Sequence, residues 1–93
     1  MEFDWDPDKA TKNRAKHGLP LELVRSFDFE NAKIVEDDDI DYGESRLVGV
    51  GFIQDRIYVV VFVERGDVIR VISLRNADRK EAGEYVEYLE KGW

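Results

Sequence analysis

The chain has 93 residues, no cysteine and a formal net charge of −7, with 43% hydrophobic and 38% charged residues. That length suits one domain, 1–93, whose core buries roughly two-thirds of the unfolded surface. The absence of cysteine excludes disulfides and thiolate metal sites, and no apolar run approaches the roughly 20 residues that span a bilayer. The acidic opening from Met1 to Asp6 carries no signal-peptide pattern, so a cytoplasmic protein with no membrane partner is expected. A net negative charge disfavours nucleic-acid binding over the surface as a whole, because that affinity comes from cations. The charge is uneven, however: residues 1–41 hold 12 Asp/Glu against 6 Lys/Arg, and residues 42–93 hold 9 against 8. A local positive site on the second half is compatible with this balance.

Phe3 and Trp5 alternate with Asp4 and Asp6, the pattern of a short edge strand. Asp6-Pro7 reads as N-cap and first residue of a helix from Pro7 to His17, with Gly18 as its left-handed stop. That helix is almost wholly polar, so it is either draped on the surface or retained because its polar groups are used. Pro20 opens a second short helix, Leu21 to Ser26, with Leu23, Val24 and Phe27 as its core face. Lys33–Glu36 reads as a strand and Glu36–Asp41 as an acidic loop. Arg46–Ile53 is a strand that sorts Gly49 and Gly51 to one face and Val48, Val50 and Phe52 to the other. A Gln54-Asp55 turn leads into Ile57–Glu64, apolar on both faces and therefore central. Arg65-Gly66-Asp67 then turns into the strand Val68–Leu74.

The last helix begins at Asp78, where Asp78 and Glu81 form a D-x-x-E capping box. Ala82, Tyr85, Val86 and Leu89 are placed to pack on the sheet, and Gly92 to end the helix. Hairpin-length turns in this order imply an α+β fold. Its antiparallel sheet would have four to five strands, with two N-terminal helices and one C-terminal helix.

Arginines accumulate around the last hairpin of this acidic chain. Guanidiniums stay charged and match phosphate oxygens in pairs. Strict alternation puts Arg70 and Arg75 on opposite faces, Arg75 with Ile69, Val71 and Ser73, and Arg70 with Ile72 and Leu74. A buried Arg70 needs a carboxylate, and Glu44 or Glu64 could serve. Arg79 lies in the first turn of the last helix, where N–H groups also favour anions. Lys9, Lys12, Asn13 and Lys16 share one helical face, which is either a phosphate track or a solvated surface. His17, the only histidine, is either a general acid or base or a helix-terminal dipole partner. Glu36–Asp41 lacks the glycine and distal glutamate of a calcium loop, so no metal site and no cofactor are expected.

Three blocks in register resemble the BrnT family of type II toxin–antitoxin ribonucleases. They are F-D-W-D-P-D-K-A-T-K-N-R-A-K-H-G, D-Y-G-E-S-R-L-V-G-V-G, and V-V-V-F-V-E-R-G-D-V-I-R-V-I-S-L-R-N-A-D-R-K-E. The family's usual Ala after the motif Ser is Leu74 here, and its usual Lys after the motif Arg is Asn76, one cation fewer. The resemblance implies a RelE-like fold and an endoribonuclease that blocks translation. It also implies an RNA substrate and a ribbon-helix-helix antitoxin, BrnA, through which operator DNA is bound. Lys12, His17, Glu44, Arg46, Arg65, Arg70, Ser73, Arg75 and Arg79 fall on motif positions. By chemistry type and family position, His17, Glu44, Arg70 and Arg75 are the expected catalytic residues, and Lys12, Arg46, Arg65 and Arg79, with Lys16 from the same helical face as Lys12, the expected RNA contacts, in a metal-independent reaction. The alternative is a non-catalytic module that docks a partner through the Arg-lined sheet and acts in autoregulation.

Overall fold

The computed structural model describes residues 1–41 and 44–91, without the side chains of 38–41. Its elements are β1 (Glu2–Asp4), α1 (Pro7–His17), a 3-10 helix (Leu21–Ser26), β2 (Lys33–Asp41), β3 (Glu44–Ile53), β4 (Arg56–Arg65), β5 (Val68–Asn76) and α2 (Arg79–Lys91). The five strands form one sheet in the order β1-β5-β4-β3-β2.

The α+β class agrees with the sequence, but the sheet is mixed. β2 to β5 form an antiparallel meander, whereas β1 lies parallel to β5 and pairs Phe3 with Ile69 and Asp4 with Arg70. Short connections set the directions of β2 to β5. No turn fixes β1, because the chain leaves that edge, passes through two helical segments and re-enters the sheet at the far edge.

α1 follows its sequence signals. The Asp6 side chain accepts a bond from Asp8 N–H at 2.9 Å, and Gly18 adopts φ 71° and donates its N–H to Arg14 O at 2.8 Å. The second N-terminal helix is a 3-10 turn and not an α-helix. Leu21 and Val24 are its two fully buried side chains, and Leu23 packs only partly. With six residues and i→i+3 spacing, it drives Leu21 and Val24 inward together.

Leu21, Val24, Phe27 and Ala32 meet Ile53, Val60, Phe62, Ile69, Val71 and Leu74 in the main core. Gly51 makes room there, since a β-carbon at this position would lie 2.9 Å from Phe27 Cζ. The glycine face of β3 is thus the core face, and the missing side chain is a notch for an aromatic ring.

The stretch expected to be an acidic loop is strand: β2 continues through Asp41 and pairs Ile40 with Ser45 and Asp41 with Glu44. A register shift between Glu36 and Ile40 interrupts the ladder. Pairing with β3 overrides the poor strand propensity of aspartate.

α2 carries the expected capping box. Glu81 N–H donates to Asp78 Oδ1 at 2.8 Å, and Asp78 N–H donates to Glu81 Oε1 at 2.9 Å. Asp78 is the cap and Arg79 the first helical residue. Tyr85 anchors the helix: its ring packs on Phe52 and its hydroxyl donates to Asn31 O at 2.7 Å. Val86 and Leu89, expected to pack on the sheet, are 43% and 41% exposed. Helical spacing counted them into the apolar stripe, but contact is centred on Tyr85. The stop assigned to Gly92 lies outside the described residues.

Candidate functional site: a cationic groove between α1 and β5

β1 covers only the start of β5, up to Arg70. Farther along, the open edge of β5 is met by a side chain. Asn13 Nδ2 donates to Leu74 O at 2.9 Å, and Leu74 N–H donates to Asn13 Oδ1 at 3.0 Å. The amide thus imitates one residue of a neighbouring strand. Its other Nδ2 proton goes to Leu19 O at 3.0 Å. Asn13 is only 5% exposed. It explains how a helix with almost no apolar face stays docked: its polar groups are used, as one of the two sequence readings allowed.

The docked helix presents Lys9, Lys12, Lys16 and His17 to Ile72, Ser73 and Arg75 of β5, around a groove of about 330 Å³. No carboxylate among the described residues lines it. Among the described residues, none of Lys9, Lys12 and Lys16 forms an ion pair. Like charges gathered in a concave site raise the local potential for anions far above what the net charge suggests.

A bulge in β5 shapes this groove. Val61 pairs with Ser73 and Phe62 with Val71, so Ile72 is the extra residue. The expected alternation therefore fails. Val63 pairs with Arg70, Val61 with Ser73 and Val59 with Arg75, which puts Arg70, Ser73 and Arg75 on one face. Arg46 shares that face through Val48, which pairs with Val61. Ile69, Val71 and Leu74 point into the core instead. One inserted residue moves half of the strand to the other face.

The guanidinium of Arg75 is fixed by the start of α2. Nη1 and Nη2 donate to Glu81 Oε1 and Oε2, each at 2.7 Å, and Nη1 also donates to Asn76 O at 3.3 Å. The hydrogen bonds from Arg75 hold the Glu81 carboxyl below its ordinary value of 4.5, outweighing its partial burial.

A smaller groove of about 120 Å³ adjoins the first and shares Lys9 and Ile72 with it. It holds Glu44, Arg65 and Arg70 together with Asp6. Here both arginines have partners. Arg65 grips Glu44 through Nε at 3.0 Å and Nη2 at 2.7 Å, and Arg70 lies 3.3 Å from Asp4. The partner of Arg70 is therefore its ladder neighbour Asp4, and neither Glu44 nor Glu64.

Of the nine residues singled out in the sequence, Lys12, Lys16, His17 and Arg75 meet in the first groove. Glu44, Arg65 and Arg70 lie in the second. Arg46, half-buried on β3, and Arg79, exposed on α2, line neither. Sequence reasoning missed Asn13 as the fastener and Ile72 as the bulge. An asparagine within an all-polar helix was the available signal for the first; nothing local announced the second. Among the described residues no three His, Asp or Glu converge, and no helix is long and apolar enough to cross a membrane.

A family model described as the ribonuclease toxin BrnT of type II toxin–antitoxin systems matches residues 5–81. The match spans every element from α1 into the first turn of α2. No curated protein matches the chain at a significant level.

Proposed function

This chain belongs to the BrnT family of ribonuclease toxins of type II toxin–antitoxin systems, and from that premise we propose that it cuts RNA internally, without a metal ion, in the groove between α1 and β5. The carrying observation is the convergence of three lysines, the only histidine, Ser73 and Arg75 around one groove that, among the described residues, no carboxylate lines. In the proposed reaction a ribose 2′-oxygen bonds to the adjacent phosphorus and the bond to the 5′-oxygen breaks. The 2′-hydroxyl loses a proton and the 5′-oxygen gains one, while negative charge builds on the phosphoryl oxygens.

His17, the only imidazole, moves a proton at one of those two oxygens. Arg75 meets the developing charge. Lys12 and Lys16, with Lys9, hold the backbone phosphates, an electrostatic role suited to single-stranded RNA. We assign Glu44 and Arg65 to fastening the start of β3 to the end of β4, and Arg70 to tying β5 to β1. Arg46 and Arg79 are left for peripheral RNA contact. We read residues 1–93 as one toxin domain of RelE-like architecture; the four-stranded meander flanked by helices supports that reading.

A ribonuclease toxin of a type II system implies an antitoxin partner and an RNA target. We assign the antitoxin to the ribbon-helix-helix class, BrnA-like, and operator DNA to the complex alone. A toxin of net charge −7 has little to offer duplex DNA, so the basic surface would come from the antitoxin. RNA cleavage would stop translation in the cytoplasm.

The test is cleavage of purified RNA by the isolated protein in EDTA, with Arg75→Ala alongside. Cleavage is expected to survive EDTA and to fall about a hundredfold in the variant. Loss of cleavage in EDTA would sink the metal-independent reading. Full activity in Arg75→Ala would remove this groove from the reaction.

A further inference from the structure

Arg75 has five N–H donors in a rigid plane. Three are spoken for: both on Nη1, to Glu81 Oε1 and Asn76 O, and one on Nη2, to Glu81 Oε2. Glu81 therefore occupies the end-on edge of the guanidinium. The two donors left over, on Nε and Nη2, form the adjacent side-on edge, which is itself a fork that fits two phosphate oxygens. Arg75 lines the cationic groove while Glu81 stands outside its lining. The carboxylate thus grips Arg75 from behind.

We propose that Glu81 is a positioning residue: the first turn of α2 holds the Arg75 guanidinium by one edge so that the other is presented to the scissile phosphate. The proposal rests on the reading of the α1–β5 groove as the RNA-cleaving site. Glu81 serves two structures at once, since its Oε1 also accepts the Asp78 N–H of the capping box. Seating of α2 and aim of Arg75 are therefore one event. A lysine at position 75 could not serve both sides, because a single ammonium offers no second planar edge.

Glu81→Gln separates the two duties. Glutamine suits the third helical position of a capping box, so α2 should form. The carboxamide offers one acceptor where the carboxylate gave two, which loosens the grip on Arg75. The experiment is steady-state cleavage of purified RNA by wild type, Glu81→Gln, Arg75→Ala and the double variant, with thermal unfolding of each. Glu81→Gln is expected to lower kcat about tenfold with KM little changed, the mark of an interaction made in the transition state. On the Arg75→Ala background the same change should cost nothing further, because the residue it positions is gone.

Equal losses in both backgrounds, a loss that follows a lowered Tm, or no loss at all would each overturn the inference. Failure of the underlying reading looks different: Arg75→Ala alone would then cleave like the wild type.

Discussion

The two grooves along β5 contain similar cations and differ in how those cations are used. In the smaller one, Arg65 is gripped by Glu44 and Arg70 lies against Asp4. Their charge is largely answered within the protein. In the larger one, Lys9, Lys12 and Lys16 line the groove without an ion pair among the described residues, and the carboxylate that binds Arg75 is not part of its lining. Arginine content alone does not mark a phosphate site. The placement of the answering carboxylates differs between these neighbours, which share two lining residues, and the proposed site rests on that difference.

The sharpest test of this contrast is His17→Ala. Removal of the only imidazole should lower RNA cleavage about a thousandfold, within the usual range for general acid–base groups. Circular dichroism should stay unchanged, because the side chain is only partly buried at the end of α1. Retention of activity would move the proton transfer elsewhere.

Next in size is Asn13→Ala, which removes the fastener of the larger groove. It leaves the N–H and C=O of Leu74 without the side chain that paired them, and should destabilise the protein by about 2–4 kcal/mol. A lower urea midpoint at unchanged m-value would show it.

Lysine and arginine variants probe the comparison directly. Lys12→Ala and Lys16→Ala should each raise KM for RNA a few-fold and flatten its salt dependence by about 0.7 in log–log slope per lost phosphate contact. Arg65→Ala, in the answered groove, should shift KM less than about twofold, since exposed ion pairs contribute little. Equal salt slopes in the two grooves would erase the distinction.

The smallest effect is on acid stability. Arg75 keeps the Glu81 carboxyl below its ordinary value of 4.5. A depressed carboxyl contributes stability that is complete above that value and is lost as pH falls through the lower folded-state value. Urea midpoints measured from pH 7 down to pH 3 (about the span of carboxylate titration) should fall less steeply in Glu81→Gln than in the wild type. Parallel profiles would remove the pair from the acid response.

Much of the site was legible because it depends on local chemistry. Asp6, Pro7 and Gly18 bound α1 by their own backbone preferences, and Asp78 with Glu81 start α2 the same way. Once α1 is a helix, Lys9, Lys12 and Lys16 must share a face. What stayed hidden depends on contacts distant in sequence. The bulge at Ile72 is decided by pairing across to Val61 and Phe62, and it reverses the face of Arg70 relative to Arg75. The parallel placement of β1 is decided by nothing within β1. The strand character of Glu36–Asp41 comes from its partner strand. Asn13 looked like its lysine neighbours until the sheet edge was present to receive it.

The amide of Asn13 has a further consequence, for solubility. An exposed strand edge is a template on which another chain can add itself. On the side away from β4, β5 has no strand neighbour after Arg70 among the described residues, and its hydrogen-bonding groups at Leu74 would otherwise be available to any extended segment. By occupying both groups at that one position, the side chain that holds α1 in place also breaks the run a foreign strand would need. A single asparagine thereby guards the chain against edge-to-edge association.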